Sequence, residues 1–265
     1  IEKATIYSEG IAAGSGEGLT VREFRGIGGG RLADNLFANA KWPNSPDWVG
    51  HADYYEWPQS GDINETPAGN VADNYAMHVL GYVTPPSTGD YHFFVAADDT
   101  TVLFLSTDED PANKVRIAFE PQWNGVRNFG ETGRRYPINS DALMVNGSDA
   151  ISLTKGKHYF IESITKEGGG GDNLAVTWIE AGDDLPANGA LPISGEYLSP
   201  WLTPSVDDVP PTLSVVRNAD GTVTMTFEGT LQTAPTVNGP WTDVNAASPL
   251  TVPADQDAAF GRAKK

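Results

Sequence analysis

Between Ala76 and Glu180 short apolar runs alternate with turn residues. Ala76 to Val83, Asp90 to Ala96, Thr101 to Ser106 and Lys114 to Phe119 are rich in aliphatic and aromatic side chains. They are parted by Pro85-Pro86, Thr88-Gly89 and Asp110-Pro111, the spacing of strands and turns. Ala150 to Thr154, Lys157 to Thr165 and Leu174 to Glu180 read the same way. The pattern predicts an all-β chain, a two-sheet sandwich with Phe93, Phe104, Tyr159 and Trp178 in or near its core. Residues 1 to about 75 are turn-rich, broken by Gly14-Ser-Gly-Glu-Gly18, Gly26-Ile-Gly-Gly-Gly30 and Pro43-Asn-Ser-Pro46. The second glycine cluster is not a phosphate loop, because Arg31 stands where a dinucleotide motif needs its third glycine and no Gly-Lys-Ser/Thr ending follows.

A second pattern begins after Ser205-Val-Asp-Asp-Val-Pro-Pro211, which reads as a linker with a solvated Asp207-Asp208 pair. Thr212 to Phe227 alternates apolar and polar residues around an Asn-Ala-Asp-Gly turn, a hairpin signature. Further strands are predicted at Gly229 to Thr233, Trp241 to Val244, Thr251 to Pro253 and Ala258 to Ala263. The expected division is a sandwich over 1–204 and a small C-terminal β module over 205–265. A module of that size without cysteine has a marginal core. It is expected to pack on the sandwich or on another chain.

Composition narrows the function classes. The 29 glycines and 19 prolines suit many short strands and turns. With 35 acidic against 17 basic residues the formal charge is -18, which disfavours nucleic acid and anionic membrane and suits a binder of divalent cations. The absence of cysteine excludes disulfides, thiolate metal sites and a cysteine nucleophile. No apolar run reaches the roughly 18 residues of a membrane span. The start at Ile1, without a signal-like stretch, gives the expectation of a processed or excised segment.

The chemistry concentrates at Asp98-Asp99, in the short turn between two apolar runs. Neighbouring side chains of an extended strand point to opposite faces and cannot grip one ion. A cis peptide, with its Cα step of about 2.9 Å, brings both carboxylates to one side. A hard dication such as calcium is the expected occupant; read alone, the pair is also a polar hairpin tip. Lys166-Glu-Gly-Gly-Gly-Gly-Asp-Asn173 joins two further strands and is either a flexible tip or a source of backbone and side-chain oxygens for the same ion. The stretch from Glu120 to Asn146 is long, polar and irregular, with Trp123, Phe129, Arg127, Arg134 and Arg135 in it. Loops of that length are uncommon unless they carry function. Trp123 and Phe129 either cover the sandwich edge or offer one exposed ring for stacking.

Gly81-Tyr-Val-Thr-Pro-Pro-Ser-Thr-Gly-Asp-Tyr-His-Phe-Phe-Val-Ala-Ala-Asp-Asp-Thr-Thr-Val-Leu-Phe-Leu-Ser106 resembles the central signature of the PA-14 (protective-antigen) domain family. Tyr159 to Trp178 is similar to its closing part, and the resemblance runs from about Gly18 to Pro200. It implies a jelly-roll type β-sandwich from a secreted or cell-surface bacterial protein, located outside the cell after signal removal. In the carbohydrate-binding branch the paired aspartates are joined by a cis peptide and hold Ca2+, which coordinates sugar hydroxyls directly. Carried over, the metal ligands would be Asp98, Asp99, a side-chain amide from Asn146, and the backbone carbonyls of Gly170 and Asp172. Trp123 would face the sugar, with Asn124 and Asn173 for its hydroxyls. The partners implied are neutral glycans with vicinal diols, bound with millimolar to high-micromolar affinity per site and made useful by multivalency.

Two rival readings stay open. Catalysis has little support, because His51, His78, His92 and His158 are scattered, with His92 and His158 placed within strands, and no Gly-x-Ser-x-Gly elbow occurs. The chain is therefore expected not to be an enzyme. A structural subunit of an extracellular surface layer or filament, self-associating or joined to other domains, is the alternative.

Overall fold

The computed structural model describes residues 17–28, 33–67, 69–130, 146–201, 211–236, 239–253 and 260–264. The chain divides into two compact units, 1–203 and 204–265. Among the described residues, apart from the single-turn helix α1 (Asp34–Phe37) and two short 3-10 turns, the regular structure is all β.

The strands of the first unit are β1 (Leu19–Phe24), β2 (Trp48–Ala52), β3 (Glu56–Trp57), β4 (Tyr75–Val83), β5 (Gly89–Asp98), β6 (Thr100–Leu105), β7 (Val115–Glu120), β8 (Ile151–Leu153), β9 (Tyr159–Glu167), β10 (Asn173–Glu180) and β11 (Leu198–Pro200). They form a seven-stranded sheet in the order β2-β1-β4-β9-β6-β7, with β11 beside the end of β4, and a four-stranded sheet β3-β10-β5-β8. All pairings are antiparallel. Between the sheets lies a core that includes Leu19, Val79, Phe93, Val95, Leu103, Ile161, Leu174 and Val176. Phe93 and Tyr159 are buried there, Trp178 packs against that core from its margin, and Phe104 lies on the other face of the large sheet.

All nine residues of β4 are buried, not every second one. The outer face of the large sheet is also covered, by Trp201 over Tyr82 and Phe160 and by Phe24, Ile27, Leu36 and Trp42 over Ala76 and Ile164. Double coverage explains the nearly continuous apolar run Ala76 to Val83. Beneath this cover His78 donates to or accepts from Glu162 at 2.8 Å, and Lys114 pairs with the same carboxylate at 2.7 Å. Burial holds the His78 imidazole below its ordinary pKa. His158 precedes β9, outside the strand expected to hold it, and bonds Thr84 at 2.7 Å.

Phe129 is fully buried against Phe94, Ala96 and Ala175 on the outer face of the small sheet. Arg127 reaches Glu56 of β3 through Nε at 2.7 Å and Nη2 at 2.6 Å and is itself buried. This arginine therefore fastens the irregular stretch down and is not offered to a ligand. Arg134 and Arg135 lie outside the described residues.

In the second unit β12 (Leu213–Arg217), β13 (Thr222–Phe227) and β16 (Leu250–Pro253) make one three-stranded sheet, and β14 (Thr230–Ala234), β15 (Thr242–Asp243) and β17 (Phe260–Lys264) another. The Asn218–Gly221 turn closes the β12–β13 hairpin, with Gly221 at φ +83°.

Candidate functional site

Two chain crossings between the sheets meet at one corner of the first unit. β5 of the small sheet ends at Asp98, Asp99 follows, and β6 of the large sheet begins at Thr100. In return, β9 of the large sheet ends at Glu167, and β10 of the small sheet begins at Asn173. The registers set these elements side by side, since Asn173 lies across from Asp98 and Lys166 across from Thr100. The Asp98-Asp99 peptide is cis.

One carboxylate oxygen from each of Asp98, Asp99 and Glu167 lies within 4.8 Å of the other two. Glu167 was not anticipated from the sequence. It is fully buried, and neither of its oxygens makes a regular hydrogen bond among the described residues. Burial pushes its carboxyl up to about 7, with Asp99 and Asp98 adding to the shift and the nearby Gly169 amide offsetting only part of it. Asp98 is raised to about 6, first by burial and then by Asp99 and Asp172. Buried acceptors without donors are costly. A cation that accepts several oxygens at once satisfies all three groups, so the donor set fits a hard ion such as calcium.

The glycine-rich loop lies on this corner. Gly168 donates its amide to Asp99 Oδ2 at 3.0 Å. Gly170 has φ +119°, open to glycine and strained for other residues, and donates to Asp73 Oδ1 at 3.3 Å. At Asp172 the expected ligand is the backbone carbonyl, and the side chain has a separate use. Its carboxylate accepts from the successive amides of Asn70, Val71 and Ala72, at 2.5, 2.8 and 3.2 Å, and from Tyr75 Oη at 2.8 Å. This carboxylate clasps the 69–72 segment against the loop and raises the pKa of Tyr75, which burial has already raised most.

The remaining expected residues fall into two groups. Trp123 is 62% exposed and precedes Asn124, whose amide bonds the Ala97 carbonyl at 2.8 Å, one residue before Asp98. The Trp123 backbone is thereby held near the acidic corner. Asn173 spends Nδ2 on the Asn124 carbonyl at 2.9 Å. Its Oδ1 is buried without a partner among the described residues, directly across from Asp98.

The structure does not bring Asn146 or the Asn124 side chain to the corner. The Asn146 carbonyl bonds the Val95 amide at 2.8 Å, which sets it about 10 Å back along β5 from Asp98 at the usual rise per residue. Its Nδ2 points to the Phe129 carbonyl at 3.4 Å. The Asn124 amide is buried and consumed, giving Nδ2 to Glu120 and to the Asn128 carbonyl, with Oδ1 accepting from Gly125 and Asn128. It holds the loop and has no atom left for a sugar hydroxyl.

No family model matches the chain. Among curated proteins it is similar to mouse fibrocystin-L, 28% identical over 154 residues, which are 57% of this chain and 3% of that protein. It is also similar to mouse N-acetyl-beta-glucosaminyl-glycoprotein 4-beta-N-acetylgalactosaminyltransferase 1, 29% identical over 108 residues, 40% of this chain and 10% of that one. The chain thus spans a small fraction of either relative. Among solved structures it is similar to a PA14 sugar-binding domain from an RTX adhesin, with a TM-score of 0.45, 15% identity, and coverage of 70% of this chain and 99% of that one. It is similar too to the epithelial adhesin 6 A domain of Candida glabrata, solved with Galb1-3GlcNAc, with a TM-score of 0.42, 13% identity, and coverage of 76% and 96%.

Proposed function

We propose that the first unit is a calcium-dependent carbohydrate-binding domain of PA-14 type, working outside the cell and performing no chemistry on the sugar. One observation carries the reading: three carboxylates converge at a corner between the sheets, and neither oxygen of the buried one makes a hydrogen bond of regular geometry among the described residues. The sequence resemblance around Asp98-Asp99 supports it.

Asp98, Asp99 and Glu167 would hold the ion, with the Asn173 amide oxygen and the Gly170 carbonyl as neutral donors. A bound calcium ion takes about six to eight oxygens, so these donors leave roughly one to three positions for a vicinal diol. Gly168 keeps Asp99 in place, and Asp172 ties the loop to the amides of Asn70, Val71 and Ala72. The exposed Trp123 ring offers an apolar face to the C-H surface of a sugar. Selectivity among sugars would come largely from this rim, because many sugars present a vicinal diol that can chelate an ion. The test is a glycan array read in millimolar calcium and again in chelator. Binding confined to the calcium condition and lost in Asp99→Ala is expected; equal signals in both conditions would overturn the reading.

An assembly role is favoured by a different observation. β12 is an edge strand whose adjacent Val215 and Val216 are 59% and 55% exposed, so both of its faces present a β-branched side chain. Light scattering across a concentration series distinguishes this reading, since only a subunit of a layer or filament grows in mass.

A further inference from the structure

The backbone of Asn124 is held from two sides. Its amide donates to the Ala97 carbonyl at 2.8 Å, on β5 one residue before Asp98. Its carbonyl accepts from Asn173 Nδ2 at 2.9 Å, at the start of β10. These are the strand ends that the register joins, Asn173 standing across from Asp98. The buried Asn124 side chain then grips its own loop, through Nδ2 to Glu120 and the Asn128 carbonyl, and through Oδ1 from Gly125 and Asn128. One buried residue thus ties the loop that carries the exposed Trp123 to both strand ends. The chemistry of the bond also orients Asn173. A backbone carbonyl only accepts, so Nδ2 is the end turned to Asn124 and Oδ1 is the end left over. That oxygen is buried without a hydrogen bond of regular geometry among the described residues.

We infer that Asn173 couples the ion to the Trp123 loop, its Oδ1 taking the ion and its Nδ2 holding the Asn124 carbonyl. The inference rests on the metal-site reading above. A cation on an amide oxygen draws electrons from the nitrogen and makes its N–H a stronger donor, as linked polar groups polarise one another. Calcium therefore acts twice, once on the sugar's diol and once by fixing the loop beside it. In the ion-free protein the buried Oδ1 is an acceptor without a donor, a cost relieved when the loop opens and water reaches it. The coupling is reciprocal, so loosening the loop weakens the ion. A loop that merely packed against the corner would be equally ordered with and without calcium.

The experiment follows amide hydrogen exchange at Asn124 and Asn128 by NMR in the full chain, in saturating calcium and in chelator, with the core amides of Phe93 and Ile161 as references. Calorimetry measures calcium binding in parallel. Asn173→Asp keeps an oxygen for the ion and the same shape, but has no donor for the Asn124 carbonyl. In wild type, calcium is expected to slow exchange of both loop amides roughly tenfold more than that of the references. Asn173→Asp should still bind calcium, with loop exchange the same in both conditions. Asn128→Ala removes a bond to Asn124 Oδ1 and none of the proposed donors to the ion, and is expected to weaken calcium roughly fivefold. Wild-type loop amides indifferent to bound calcium would refute the coupling and leave the metal site standing. Protection by calcium that survives in Asn173→Asp would refute it too, as would an unchanged calcium affinity in Asn128→Ala. Should Asn173→Asp fail to fold or to bind calcium, the wild-type comparison and Asn128→Ala still decide. If wild type does not bind calcium, the metal-site reading fails and this inference fails with it.

Discussion

Gly168 gives its backbone amide to Asp99 Oδ2 at 3.0 Å, so the two crossings between the sheets are joined at the place where the acidic oxygens meet. An ion added there would strengthen a connection that the backbone already makes. Loss of ion binding and loss of the fold are therefore separable.

Asp99→Ala is expected to abolish the calcium-dependent rise in melting temperature and all calcium-dependent glycan binding. The far-ultraviolet circular dichroism should stay unchanged, because the main core lies between the sheets and does not include the corner. A variant that unfolds outright would show that the corner is part of the folding core.

In chelator the protein should be more stable at mildly acidic pH than above neutrality. Glu167 at about 7 and Asp98 at about 6 both stand above the usual carboxylate values in the folded state. Groups with a raised folded pKa contribute stability that is complete below the unfolded pKa of about 4 and is lost as pH rises through the folded values. The melting temperature of the ion-free chain should thus fall between about pH 4 and pH 7 from this pair. Saturating calcium should reverse the trend, because only the ionised carboxylates are ligands.

Trp123→Ala is expected to weaken glycan binding by about 1 kcal/mol and to leave the calcium affinity alone, as calorimetry with each ligand would show. Asn124→Ala should instead destabilise the fold by about 1 to 3 kcal/mol through unpaired groups around Glu120 and Asn128, which denaturant unfolding measures.

Asp172→Ala removes the acceptor of three amides and one tyrosine hydroxyl without touching Asp98, Asp99 or Glu167. The expectation is a calcium affinity roughly tenfold weaker, as for other groups that position ligands. An unchanged affinity would show that the 69–72 clasp has no bearing on the site.

Arg127→Met should cost about 3 to 5 kcal/mol in denaturant unfolding, because it leaves Glu56 charged and buried alone. Adding Glu56→Gln should recover part of the loss.

The strands from β4 to β10 were legible because each is a run of aliphatic and aromatic residues closed by glycine, proline or aspartate. β2 and β3 were not. Trp48-Val-Gly-His-Ala52 has little periodicity, and its strand state comes from pairing with β1, which no local pattern records. The cover over β4 was equally hidden, since Trp42 and Trp201 come from far along the chain. At the site, Asp98 and Asp99 announced themselves by adjacency. Glu167 did not, because in Thr165-Lys-Glu-Gly168 it reads as a solvated charge at a strand end. The register of β9 against β6, which sets Lys166 across from Thr100 and so Glu167 beside Asp99, was the missing information. Nor does sequence spacing say which amide stands across from Asp98, a place that the register gives to Asn173.

A corner built almost wholly from carboxylates, amides and glycine has little hydrophobic adhesive of its own. Its rigidity is then on loan from the surroundings. At the submicromolar calcium of a cell interior, a site of millimolar to micromolar affinity would stand open, and amides from Gly168 to Asn173 would exchange with solvent on their own timescale while those of Phe93 and Ile161 stayed protected. On arrival in millimolar calcium the same residues would lock, and the surface that meets a sugar would be finished only where sugars are to be met.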